Sequence, residues 1–286
     1  MKEEETQCRR EEGHLVRPGG VQLFYQYWVP EEVRYTMVIV HGLGEHSGRY
    51  GNPVAYFCPR GVAIYAMDNR GHGRSSGLRG HVDDFKDYLE DLAAFIEKVR
   101  KGFGREKLLL VGHSLGGLIA ISYGLTFPES IQGLIISSPG LRPKQAPPVV
   151  KAIIGRVLSR IWPTLTLSNE LDPQAISRDP RVVADYINDP LVHDRVSTRF
   201  YTEFLREAAR VLAEAPSLRV PLLLMQAGAD GLVDPEASKE FFSRAGPKDK
   251  TLKIYEKCYH ELFNEPDKEQ VFRDVEDWFR ERFGGR

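Results

Sequence analysis

Leu108-Leu109-Leu110-Val111-Gly112-His113-Ser114-Leu115-Gly116-Gly117 decides how this chain is read. Four apolar residues lead in, a Gly-x-Ser-x-Gly segment follows, and an apolar helical pattern over residues 115–127 leads out until Pro128 stops it. Strand, tight turn and helix in that order are the setting of a nucleophile elbow, in which a serine stands on strained backbone at a strand's end. The glycines have a steric reason. Side chains at Gly112 and Gly116 would collide across the turn, and Gly117 lets the helix approach the sheet. A glycine-rich helix start with a capping serine is the plainer alternative, and the strand–turn–helix context favours the elbow over it. His113 is read as structural, because neighbouring residues on a tight turn point apart.

Outward from the elbow, short unbroken apolar runs recur at residues 37–40, 62–67, 134–136 and 222–225, the pattern of strands buried on both faces. Residues 15–29 read as a hairpin turned by Pro18-Gly19-Gly20. Between the runs lie helical patterns. Val82, Phe85, Leu89, Leu92, Ile96 and Val99 recur every three or four residues, and residues 267–283 close the chain with Trp278 and Phe279 able to dock. This alternation predicts a mostly parallel sheet with helices on both faces. Residues 139–216 break the rhythm: five prolines fall between Pro139 and Pro163, no convincing strand is visible, and several helices are expected. They are taken as a helical cap inserted into a core of residues 11–138 and 217–286, behind a polar tail of residues 1–10.

With 286 residues, 42% hydrophobic and 28% charged, the composition is ordinary for a globular protein and excludes collagen, coiled coil and intrinsic disorder. Thirty-nine basic residues against forty acidic ones leave a net charge of −1, so no nucleic acid partner is expected. Cys8, Cys58 and Cys258 are odd in number and lack metal-ligand spacing; neither a disulfide framework nor a metal site is predicted. The acidic start shows no secretory signal, and no run approaches the ~20 apolar residues of a membrane span, so a soluble, cytoplasmic protein is expected.

A serine on such an elbow needs an acid and a base, which follow it in that order on a sheet of this kind. Of eight histidines only His260 lies beyond the run at 222–225; His193 falls in the cap, and the other six precede or adjoin the elbow. Asp230 and Asp234 compete for the acid. Asp234, followed by Pro235-Glu236, is explained as a helix N-cap, whereas Asp230 sits at a strand's carboxyl end, where sites of open sheets form. Ser114, Asp230 and His260 are therefore the predicted catalytic set, with no cofactor and no metal. The oxyanion donors are expected to be the backbone N–H groups of Leu115, next after the nucleophile, and of Leu43, in the glycine-flanked loop after the run at 37–40.

HGLGEHSGRY (residues 41–50), DNRGHGRSSG (68–77), GHSLGG (112–117) and the later GAD and YHELFNE segments together resemble the monoacylglycerol lipase and lysophospholipase group of α/β-hydrolases. The likeness covers nearly the whole chain apart from the cap and the first dozen residues. It implies the α/β-hydrolase fold, the same catalytic set and the same oxyanion donors, and it brings Glu45 and Arg49 near the pocket of a glycerol head group. A pairing of Glu45 with Arg49 that braces the loop is the equal alternative. Some monoacylglycerol lipases carry a second histidine three residues beyond the catalytic one; here that position is Phe263, a departure that bears on glycerol specificity and not on ester hydrolysis. The loop containing Arg70 and Arg74 is read as a glycine turn rather than an anion site, and Cys258 as a small buried hydrophobe more than a reactive thiol.

The activity this implies is cleavage of monoacylglycerols or similar lipid esters through an acyl-enzyme on Ser114. Lysophospholipase, short-chain carboxylesterase and serine aminopeptidase on the same scaffold are the alternatives, with a non-catalytic ligand-binding module as a further rival. In the cap, Val149, Val150, Ile153, Ile154, Val157, Leu158 and Ile161 recur at helical spacing. Packing on the body, or lining an acyl-chain tunnel, is favoured there over a transient contact with a membrane surface. Oligomeric state is not legible.

Overall fold

The computed structural model describes residues 8–103, 107–145 and 149–284. Strands β1 (Cys8–Val16) and β2 (Gln22–Pro30) form the hairpin, and β3 (Tyr35–Val40), α1 (Gly51–Phe57) and β4 (Val62–Met67) follow. Then come α2 (Lys86–Phe103), β5 (Lys107–His113), α3 (Leu115–Thr126) and β6 (Gly133–Ser137). The chain next leaves the sheet for α4 (Val149–Ile161), β7 (Thr166–Ser168), α5 (Pro180–Asn188), β8 (Arg195–Ser197) and α6 (Thr198–Glu214). It returns through β9 (Leu222–Ala227), α7 (Pro235–Arg244), β10 (Lys250–Tyr255) and α8 (Lys268–Phe283). Eight strands make one sheet in the order β1-β2-β4-β3-β5-β6-β9-β10, antiparallel through the hairpin and parallel from β4 onward. This is the α/β-hydrolase architecture.

The two-residue period of the strands divides the core. Val38, Val40, Leu108 and Leu110 face one cluster, shared with α2 and α3, while Met37, Ile39, Leu109 and Val111 face another, shared with α1 and α8. Both faces of β3, β4 and β9 are buried along their whole length, which is why these runs carry no polar alternation. Trp278 and Phe279 dock as expected, the latter with its ring 4.7 Å from that of Tyr35.

Three expectations change. First, β1 starts at Cys8, inside the stretch taken as tail, and Cys8 is joined to Cys58 by a disulfide. The hairpin register sets Cys8 opposite Pro30, and Cys58 opens the turn after α1, so the pairing is made by the fold and leaves no spacing signature. Closing a loop across 50 positions stabilises the fold by about 4 kcal/mol in the chain-entropy account. Second, the segment between β6 and β9 is not wholly helical, because β7 and β8 pair antiparallel over three residues each. Third, the apolar stripe of α4 does not pack on the body. Ile153, Ile154, Val157 and Ile161 are each half exposed or more, and it is Ser159 that turns inward, its Oγ 2.7 Å from Oγ1 of Thr202 on α6. The side chains of Val149 and Val150 lie outside the described residues.

Candidate active site

The end of β5 delivers Ser114 in a left-handed conformation, φ 53° and ψ −118°, which side-chain-bearing residues rarely adopt. Its neighbours hold it there. The Ser114 N–H donates to the Ser137 carbonyl at 3.0 Å, and its own carbonyl accepts from Leu118 and Gly140. A Cβ at Gly112 would come within 2.3 Å of the Gly116 carbonyl, across the turn as expected. One at Gly116 would instead meet the Val40 carbonyl at 2.0 Å, so the neighbouring strand demands that glycine. Leu115 is the first residue of α3, where a helix start leaves N–H groups without an intrahelical carbonyl.

After β9, Asp230 is fixed through both oxygens. Oδ1 accepts the N–H groups of Leu232 and Val233 at 2.9 and 3.0 Å; Oδ2 lies 2.8 Å from Nδ1 of His260 and accepts Nε2–H of Gln226 at 3.3 Å. Gln226 is in turn oriented by Ser238, whose hydroxyl donates to its Oε1 at 2.6 Å. Asp234 caps α7, accepting the Glu236 N–H at 3.1 Å, as the sequence predicts. Burial raises the Asp230 carboxyl, but the neighbouring imidazole outweighs it and the pKa is lowered. Burial likewise pulls His260 down, and the Asp230 carboxylate beside it reverses this, leaving the imidazole above its ordinary value. His113 lies against His260, ring centroids 4.7 Å apart, and has no such partner; burial takes it down to about 4.

The loop after β3 is clamped from within. Glu45 Oε1 accepts the Gly42 N–H at 2.6 Å and the Tyr50 hydroxyl at 2.9 Å, and its Oε2 accepts Arg49 Nη1 at 3.2 Å. Arg49 also donates twice to Glu261, at 2.6 and 2.9 Å, tying this loop to the loop that carries His260. Burial alone would raise Glu45; the guanidinium of Arg49 wins and holds it at about 2. From the segment after β7, Tyr186 stacks on Arg49, 4.6 Å from guanidinium carbon to ring centre, and the His193 N–H donates to the Gly44 carbonyl at 2.9 Å.

Leu43, Glu45, Ser114 and His260 thus line one pocket of about 320 Å³, with His113, Glu261, Tyr186 and His193. Asp230 is buried behind His260, Leu115 beneath Ser114, and Arg49 stands behind Glu45. Arg49 and Glu45 pair, so the bracing alternative is present, while Glu45 also faces the pocket. Phe263 belongs to the core, stacked on Phe272. Gln226, Glu261, Tyr186 and His193 were not singled out from the sequence. Gln226 left a trace there as a polar residue ending an apolar run, and Glu261 as the residue after His260 in YHELFNE. A larger cleft of about 950 Å³ beside Cys8 is lined largely by exposed arginines and glutamates and holds none of these groups. Cys258, Glu265 and Asp267 also converge, but Arg178 bonds both carboxylates, which makes the cluster an ion pair network rather than a metal cradle.

A family described as serine aminopeptidase, S33, matches residues 31–267. A monoacylglycerol lipase of Mycolicibacterium smegmatis is 33% identical over 271 residues, covering 94% of this chain and 96% of that protein. Phospholipase YtpA of Bacillus subtilis is 36% identical over 253 residues, covering 86% and 95%. Among solved structures, the monoacylglycerol lipase of Paleococcus ferrophilus superposes with a TM-score of 0.79 at 37% identity, covering 95% of this chain and 97% of that one. Sheet order, elbow and these likenesses agree: the chain belongs to the serine aminopeptidase S33 family of α/β-hydrolases, in its monoacylglycerol lipase group.

Proposed function

We propose that this protein is a serine hydrolase that cleaves monoacylglycerols or closely similar lipid esters through an acyl-enzyme on Ser114. The observation that carries the reading is the 2.8 Å contact between Asp230 Oδ2 and His260 Nδ1, in a pocket that Ser114 also lines. With Nδ1–H given to the carboxylate, Nε2 is left as the acceptor for the Ser114 proton. Ser114 Oγ then attacks the ester carbonyl, and the N–H groups of Leu43 and Leu115 receive the developing oxyanion, each worth ~2.7–4 kcal/mol. His260 returns the proton to the leaving alcohol, and water releases the fatty acid by the same route in reverse. Glu45 contributes a wall of the head-group pocket, with Arg49 as its brace. Residues 139–216 act as the cap over this site, and the bare stripe of α4 offers a surface for transient contact with lipid.

The test is a fluorophosphonate probe followed by an ester series. The probe is expected to label Ser114, and monoacylglycerols to be turned over faster than diacylglycerols. The carboxylates around the pocket favour one second reading, an aminopeptidase that seats a free amine; rapid cleavage of aminoacyl anilides without ester turnover would establish it instead. No described helix is long and apolar enough to cross a membrane. We infer a cytoplasmic, lipid-peripheral location only for a cytosol that tolerates the Cys8–Cys58 bridge, since ordinary reducing cytosols keep thiols apart.

A further inference from the structure

The pocket around Ser114 is lined by four carboxylates, Glu45, Asp172, Asp194 and Glu261, and by no lysine or arginine among the described residues. Glu45 and Glu261 are buried, and Arg49 behind them spends its terminal nitrogens on both. Two buried carboxylates therefore share a single guanidinium, which does not itself line the pocket. Asp172 and Asp194 stand exposed at the rim; Asp194 has Arg195 3.5 Å away, both side chains more than half exposed, a pair that solvent weakens. Of the histidines on the wall, His113 and His193 are pushed by burial down to about 4 and add no positive charge near neutrality.

We propose that this lining is a charge filter: the ester pocket accepts uncharged head groups, whose hydroxyls can donate to the carboxylates, and turns away esters whose head group bears a phosphate or carboxylate. The inference deepens the ester hydrolase reading above and rests on it. A phosphate entering here would lose water, meet like charges and find no lysine or arginine on the wall; the one histidine there whose pKa is raised, His260, already gives its Nδ1 side to Asp230.

The experiment compares kcat/KM for a monoacylglycerol and for the lysophosphatidate of the same acyl chain, at low and high ionic strength, in the wild-type chain and in Asp172→Asn/Asp194→Asn. Asparagine keeps the size of both side chains and can still accept the Gln174 N–H that Asp172 caps. The neutral ester is expected to be preferred ~10-fold or more at low salt. That ratio is expected to fall ~3-fold or more on adding salt, and again in the double variant. A ratio near one overturns the filter. So does a preference that neither salt nor the double variant moves, since the phosphate is then refused by size. Turnover of neither ester, with Ser114 unlabelled by the fluorophosphonate, overturns the parent reading, a result distinct from a lost ratio.

Discussion

Asp230 and His260 are both buried, so each owes its charge state to the other. The carboxylate is fixed by two backbone N–H groups on one oxygen, which leaves the other to hold the imidazole. Asp230→Asn is expected to lower kcat by roughly 10⁴-fold, because an amide does not hold the tautomer that frees Nε2. The pH profile changes too. With Asp230 present, the pKa of His260 is raised, so the active neutral imidazole is lost as pH falls through a value above the ordinary 6.5. Without it burial dominates, and the acid limb of kcat/KM is expected to move below 6.5 in the variant. An acid limb that stays in place would mean that another group titrates there. At this scale the sequence is informative where chemistry and chain order coincide: the contact of Asp230 with His260, and the pocket that His260 shares with Ser114, were legible because an elbow admits one order of partners. The roles of Glu261 and Gln226 were not: Glu261 and Arg49 stand in two quoted motifs 212 positions apart, neither of which states that they pair, and the amide that steadies Asp230 lies in no motif.

Elements were legible where burial fixes their pattern. Strands covered on both faces have no reason to alternate, and the runs at 62–67 and 222–225 became β4 and β9 almost residue for residue. β7 and β8 were missed because three residues are too few to show a period. For α4 the apolar spacing was plain, but a stripe states which residues are apolar and not what they face. Its inner contact runs through Ser159 and Thr202, and Ile153, Ile154, Val157, Ile161 and neighbouring Trp162 stay exposed. Contiguous exposed apolar surface on one helix suits a bilayer interface. The wild-type chain is expected to sediment with phosphatidylcholine vesicles, and Ile153→Asp/Val157→Asp to release it while hydrolysis of short soluble esters persists. Equal sedimentation of both would remove α4 from any role at the membrane.

At the scale of the whole molecule, uncharged imidazoles join the sheet to the segment between β6 and β9. His41, His72 and His193 lie in a row, with ring centroids 5.3 and 4.9 Å apart, drawn from the loop after β3, the loop after β4 and the segment between α5 and β8. His193 Nε2 lies 3.1 Å from the Gly71 carbonyl, and its backbone N–H reaches Gly44, so this row also fastens the segment between β6 and β9 to the sheet's loops. Burial lowers the pKa of all three, and of His113. A histidine whose folded pKa is depressed keeps its stabilising share above the unfolded value of 6.5 and loses it as pH falls towards the folded value, about 4 for His113 and His193. By pH 4.5 a fully buried ring such as His113 forfeits roughly 2 kcal/mol. His260, whose pKa is raised, works in the opposite sense and contributes most below 6.5, but it is one ring against four. Between pH 6.5 and about 5.5 ordinary carboxylates stay largely ionised, so the histidines govern the upper part of that window. Tm is therefore expected to fall progressively as pH is lowered across it, with amide exchange in residues 189–197 rising before that in the sheet. His193→Gln, which removes one proton acceptor from the row, is expected to flatten part of the slope. A Tm that holds level from pH 6.5 to 4.5 would mean that these rings find counter-charges on protonation, and that residues 189–197 are fastened by their backbone bonds alone.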